Sequence, residues 1–164
     1  MSISQSMFGE MEHEMANTRK VLERVPMEKA DWKPHQKSGT LAWLAGHCAI
    51  MPGWGAVTLS QPDLDVAGVD SAVPKFTTRE QLLEHFDTEL EKYRAALHTA
   101  SDEQMMAQWT LRAGDQVIFQ MPRVAVLRGM VTNHMIHHRA ELIVYLRLLD
   151  VPVPGLYGPS ADEK

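Results

Sequence analysis

The sequence contains a single cysteine, Cys48, among its 164 residues. One cysteine excludes an internal disulfide and any zinc site built from several thiolates, and it fits a reducing compartment. No stretch approaches the roughly 20 apolar residues that a membrane-spanning helix needs. The first residues turn acidic and lack a basic start followed by an apolar run, so they do not resemble a secretion signal. These absences predict a cytoplasmic protein with no membrane partner.

Basic residues are also too few for a nucleic-acid-binding surface. Lys and Arg number 16 against 21 Asp and Glu, the formal net charge is −5, and the basic residues form no run. Because affinity for nucleic acids comes largely from neutralising phosphates, this balance argues against a DNA or RNA partner. The content of 45% hydrophobic and 23% charged residues is typical of globular proteins. At this length we expect one domain over residues 1–164.

Four segments carry apolar residues at three- and four-residue spacing, which predicts amphipathic helices over about residues 5–25, 40–58, 78–98 and 122–149. Residues 60–77 are rich in Pro, Gly and Asp and predict a loop. Before the fourth helix, WTLRAGDQVIFQM alternates around an Ala-Gly-Asp turn, which indicates a short hairpin or an extended segment. Residues 150–164 form a proline-rich tail. The simplest fold that buries four apolar faces is an all-α four-helix bundle.

Three histidines fall within five positions of the predicted fourth helix, in the stretch NHMIHHRAEL. Histidine is costly to bury without a partner, so we expect these side chains to have a function. On an α-helix His134 and His138 are about 40° apart and one turn along the axis, so their imidazoles can converge on one ion. His47, on the apolar stripe of the second helix, would supply a third nitrogen. Three histidines with an open position are typical of a catalytic zinc or nickel site, and imidazole also suits iron and copper.

Other interpretations of these residues remain open at the level of sequence. His47 could instead be a core histidine that bonds to a carbonyl oxygen, and His137 could replace His138 by pairing with His134 at i, i+3. Glu141 projects at about −20° from the direction of His134, on the same side of the helix. It could be a fourth ligand, an acceptor that fixes an imidazole tautomer, a general base, or a polar residue at the rim of the site.

Three segments resemble the DinB/YfiT-like family of metal-binding four-helix bundles: WLAGH at residues 43–47, NHMIHHRAELIVYLRLLDVPVP from Asn133 onward, and the ending YGPSADE. The resemblance covers nearly the whole chain, and the second segment is its most specific part. In that family a histidine on the second helix and an H-x-x-x-H pair on the fourth hold a divalent metal. The resemblance therefore implies that His47, His134 and His138 are the metal ligands.

The family includes transferases that depend on low-molecular-weight thiols, so the resemblance implies a metal-dependent enzyme that activates a thiol or water, either an S-transferase or a hydrolase. The alternative is a non-catalytic, metal-binding stress-response protein whose structural ion is closed off by Glu141. Relatives commonly have Gly-Gln where this chain has Ala140 and Glu141, so their reactivity cannot simply be transferred. The resemblance implies a homodimer, because dimers are common in the family. The apolar residues Ile143, Val144 and Leu148, which lie outside the inward-facing stripes, also favour a homodimer.

Overall fold

Within residues 1–68 and 73–163, which the computed structural model describes, four long helical segments surround one apolar core. They are α1 (Ile3–Leu22), α2 (Leu41–Ser60), α3 (Arg79–Thr99) and a last segment that joins α5 (Arg123–Val126), a π-helical stretch (Leu127–Asn133) and α6 (His134–Leu148). A 3-10 turn (Met27–Lys29) follows α1, and the short helix α4 (Asp102–Met106) follows α3. Residues 69–72 of the predicted loop and Lys164 of the predicted tail lie outside the described residues.

Hydroxyl side chains fix where the first three long helices begin. Ser2, Thr40 and Thr78 each accept a hydrogen bond from the backbone N–H three residues further on. The first N–H groups of a helix have no partner inside it, so such caps define the first turn. At the other end, α1 stops at Leu22 rather than at the predicted residue 25, because Pro26 disfavours helical backbone at the residue before it.

A three-stranded sheet corrects the prediction of an all-α chain. Its strands, in the order β1-β2-β3, are β1 (Asp63–Asp65), β2 (Gln108–Ala113) and β3 (Gln116–Pro122). β2 and β3 form the predicted hairpin, which turns at Gly114 with a positive φ of 59°. β1 pairs in parallel with β2 inside the segment predicted as a loop. This strand is too short to show alternation, and the ion pairs of Arg112 with Asp63 and Asp65 help to hold it in place.

Two apolar clusters organise the chain. The larger lies between the long helices, and the smaller, around Trp109, Leu111 and Val126, joins the sheet to α2 and to the start of the last helical segment. None of the described helices combines the length and the apolar character that crossing a bilayer requires.

The π-helical stretch sets the face that the last helical segment presents to the core. Leu127, Val131, Met135 and Arg139 are all buried and recur every four residues. This spacing exceeds the 3.6 residues of an α-helical turn, and the wider π turns accommodate it. His134 lies beside this buried face, at the first residue of α6.

Candidate metal centre

The structure brings together the three histidines that the sequence selects. Nε2 of His134 lies 3.4 Å from Nε2 of His47 and 2.9 Å from Nε2 of His138. One ring nitrogen from each of the three lies within 4.8 Å of the other two. α2 and α6 therefore present a cluster of three imidazoles to one another, which we call the histidine cluster.

The histidine cluster is half-buried at the edge of the core. The spacing of apolar residues in the sequence predicts a position inside the core. On α2 many positions are fully buried, among them Leu44 and Cys48, whereas His47 is only half-buried and lies at the flank of this buried face. The side chain of His138 is 14% exposed to solvent. α2 is apolar on nearly every side, so periodicity could not select its core face. The edge position leaves the cluster closer to solvent than the sequence indicates.

Outer contacts fix the protonation of two of the rings. Nδ1 of His134 lies 3.3 Å from the carbonyl oxygen of Met130, and Nδ1 of His138 lies 2.7 Å from Oε2 of Glu141. Carbonyl and carboxylate oxygens only accept hydrogen bonds, so each Nδ1 carries the proton and donates. When both rings are uncharged in this tautomer, their Nε2 lone pairs face each other across 2.9 Å. A cation at this point would satisfy both lone pairs.

Trp43 covers one side of the histidine cluster. Its ring stacks on His47 with centroids 5.1 Å apart and an angle of 6° between the planes, and it meets His138 edge-on at 6.1 Å. A Cβ atom at Gly39 would lie only 2.6 Å from the Trp43 ring, so the missing side chain lets the loop approach it closely. The stacking restricts the orientation of the His47 imidazole, which has to direct Nε2 towards its partners.

Burial favours the neutral form of two of the imidazoles, those of His47 and His134. Burial is the main reason that the pKa of His47 falls to about 4, and the positive charges that His138 and His134 would carry lower it further. The pKa of His134 is also lowered, mainly by burial and then by His138. Neutral imidazole is the form that binds metal ions, so near neutral pH these two rings offer lone pairs rather than protons.

Glu141 and His137 lie outside the histidine cluster. The Glu141 carboxylate contacts Nδ1 of His138, the ring nitrogen that faces away from the other two histidines. The side chain of His137 is 64% exposed, and its Nε2 lies 3.5 Å from Oε1 of Glu141. Among the residues that the structure describes, no fourth His, Cys, Asp or Glu completes the cluster.

The donor set fits a divalent transition-metal ion. Two nitrogens bound tetrahedrally to zinc at its usual bond length are about 3.3 Å apart. The two Nε2 separations, 3.4 Å and 2.9 Å, bracket this value. Hydrogen bonds from Nδ1 to a carbonyl or carboxylate are also the usual outer partners of metal-bound histidines.

A buried polar network behind α6 was not apparent from the sequence. Arg139 is 2% exposed and donates to the carbonyl oxygen and to Oε2 of Glu14, at 2.9 and 2.6 Å, and also to the Tyr157 hydroxyl. Its position four residues after Met135, in the buried series of the last helical segment, is the one available sequence signal. The network attaches α6 to α1 and to the C-terminal tail, on a different face of α6 from the histidine cluster.

Cys48 is buried and should not act as a nucleophile. The side chain is completely inaccessible, and burial raises the pKa of its thiol to about 12. We expect no reaction of the folded protein with an aromatic disulfide reagent at pH 8, and complete reaction once denaturant unfolds it, because the thiolate is the reactive form. The absorbance of the released aromatic thiolate measures both. Rapid modification of the folded protein would contradict this assignment.

The fold and the histidine cluster define a mainly helical protein with a candidate metal centre between two of its helices. The sequence profile of the DinB superfamily matches residues 10–142, and the chain belongs to this superfamily. The resemblance seen in the sequence is therefore confirmed.

Individual relatives agree with this assignment. YrdA of Bacillus subtilis, an uncharacterized protein, is 26% identical over 156 residues, which cover 93% of this chain and 86% of YrdA. A DinB-like protein from Bacillus cereus has a similar structure, with a TM-score of 0.72, 20% identity and coverage of 95% of this chain and 98% of that one. The DinB-like protein YjoA of Bacillus subtilis gives a TM-score of 0.68 at 18% identity, covering 92% and 96%. At these identities the structures show a shared fold.

Proposed function

We propose that this protein is a divalent-metal-binding four-helix bundle of the DinB superfamily that activates a thiol or water nucleophile for a transfer or hydrolysis reaction. One observation carries the proposal: three imidazoles converge, and no fourth protein ligand joins them among the described residues. Structural zinc sites are usually closed by four protein ligands, whereas catalytic sites keep one position open. The half-buried edge position gives that open side a route to solvent.

In this proposal His47, His134 and His138 hold the ion, with zinc or nickel preferred and iron or copper also compatible with three imidazoles. When bound, such an ion lowers the pKa of a thiol or water ligand towards neutrality. Glu141 orients His138 and partly offsets the positive charge. Cys48, the single cysteine, is buried, so the nucleophile comes from solvent or from a low-molecular-weight thiol.

The alternative function is a non-catalytic metal-binding protein of a stress response, in which the ion braces α2 against α6. The observation that favours it is that the histidine cluster draws its members from both helices, so an ion would cross-link them. Binding of an added ligand to the metal ion distinguishes the two functions. A catalytic ion has to bind a nucleophile or substrate, whereas a purely structural ion does not.

The test is thiol binding to the metal-loaded protein. We expect a low-molecular-weight thiol to bind and release a proton, because a dication with three neutral ligands favours the thiolate. Calorimetry in buffers of different ionisation enthalpy counts the proton, and the absorption spectrum of a cobalt-substituted sample reports coordination. Metal-free protein and the His138→Ala variant should show neither effect. If thiols leave the cobalt spectrum unchanged, the thiol-transferase proposal fails, and activation of water or a structural ion becomes the better explanation.

We also propose a homodimer through the outer face of α6. Val144 and Leu148 are 56% and 58% exposed and lie one helical turn apart, so together they form an apolar stripe. Light scattering should give the mass of two chains at micromolar concentration, and Leu148→Asp should shift it towards one chain. A one-chain mass for the parent protein would contradict the proposal.

A further inference from the structure

A second group of potential metal ligands lies on the outer side of His138. Ligand atoms of His137, His138 and Glu141 lie within 4.8 Å of one another. The two carboxylate oxygens of Glu141 are divided between the rings: Oε1 lies 3.5 Å from Nε2 of His137, and Oε2 lies 2.7 Å from Nδ1 of His138. The carboxylate thus serves the histidine cluster with one oxygen and leaves the other directed towards an exposed imidazole.

The spacing between His137 and Glu141 suits a bound ion. The two residues are four positions apart on α6, so their side chains lie on the same face one turn apart. An ion with bonds of about 2.0–2.2 Å to an imidazole nitrogen and a carboxylate oxygen holds those atoms at about the separation seen here. Imidazole combined with carboxylate favours zinc, nickel or copper over calcium and magnesium, which prefer oxygen ligands alone.

We propose that His137 Nε2 and Glu141 Oε1 form a second, outer site for a first-row divalent cation, separate from the histidine cluster. The side chains of His137 and Glu141 are 64% and 45% exposed, so water completes the coordination and the ion exchanges readily. Oε2 can keep its hydrogen bond from His138 while Oε1 binds the outer ion. The two sites share this carboxylate, so each ion weakens the binding of the other.

Zinc titration of chelator-treated protein without a histidine tag tests the proposal. The parent protein should bind one ion tightly and a second one more weakly by calorimetry. His137→Ala should lower the affinity of the weaker site by about tenfold or more while the tight site remains. Glu141→Gln is a second variant expected to weaken the outer site, and His98→Ala, an exposed histidine on α3, is the matched control that should keep both sites.

The outcomes separate this inference from the proposed function. His47→Ala should lose the tight site and keep the weak one, because His47 does not contact the outer pair. If the weak site is absent from the parent protein, or persists unchanged in both His137→Ala and Glu141→Gln, the outer site is overturned even if the tight site behaves as expected. If the tight site is absent while the weak one responds to His137→Ala, the function proposed for the histidine cluster fails and the outer site stands.

Discussion

Replacing His47 by alanine should remove the tightly bound metal ion, lowering it from about one per chain to a small fraction after dialysis. In the proposed site His47 is the ligand from α2, and without it the remaining proposed ligands, His134 and His138, both lie on α6. Loss of a direct ligand should cost more than the about 10–100-fold in affinity that removing an outer hydrogen-bond partner costs. Elemental analysis of the dialysed protein measures the content, and His138→Ala should show a similar loss.

Two controls make this result specific to the histidine cluster. His98→Ala removes an exposed imidazole on another helix and should leave the metal content unchanged. His137→Ala should also retain the tightly bound ion, because its ring faces Glu141. Equal metal content in the parent, His47→Ala and His138→Ala proteins would contradict the assignment. Loss of the ion in His137→Ala alone would instead select His134 and His137 as the ligand pair.

Replacing Arg139 by methionine should destabilise the protein by about 3–5 kcal/mol, because it leaves the Glu14 carboxylate buried without an opposite charge, with the Tyr157 hydroxyl as its remaining donor. The side chains of Arg139 and Glu14 are 2% and 8% exposed, so water cannot replace the lost partner. Methionine keeps much of the apolar volume of the arginine stem and limits the cavity. Urea denaturation followed by circular dichroism measures the change in the free energy of unfolding.

The surface pair of Arg147 with Asp162 provides the matched control. Its side chains are 48% and 26% exposed, and exposed pairs contribute about 0–1 kcal/mol, so Arg147→Met should change stability little. The double variant Arg139→Met, Glu14→Leu should recover much of the loss, because replacing both members of a buried pair by apolar side chains leaves no isolated charge. Equal effects of Arg139→Met and Arg147→Met would contradict a special role for the buried network.

α6 thus connects two different kinds of polar site on two different faces of one helix. His138 faces α2 and the histidine cluster, whereas the next residue, Arg139, faces α1 and the C-terminal tail. Consecutive residues on an α-helix are about 100° apart, which allows neighbours to serve different surroundings. The buried ion pair fixes the position of α6 against α1, and the orientation of His134 and His138 towards α2 depends on that position.

The four long helices, the hairpin and the choice of His47, His134 and His138 could be predicted from the sequence, because each depends on local spacing. Three- and four-residue repeats identify helices, an Ala-Gly-Asp turn between alternating segments identifies a hairpin, and i, i+4 histidines share a helical face whatever the surroundings. The family resemblance also depends on short segments of sequence. None of these features requires knowledge of which helix packs against which.

The tertiary structure decided the features that depend on partners distant in the chain. β1 exists because β2, more than 40 residues later, supplies its hydrogen bonds, and a three-residue strand carries no periodic signal of its own. Arg139 is buried because Glu14 on another helix pairs with it, and charged side chains are otherwise expected at the surface. For Glu141 a helical position gives only a direction, and only the packed rotamers show that its carboxylate contacts Nδ1 of His138.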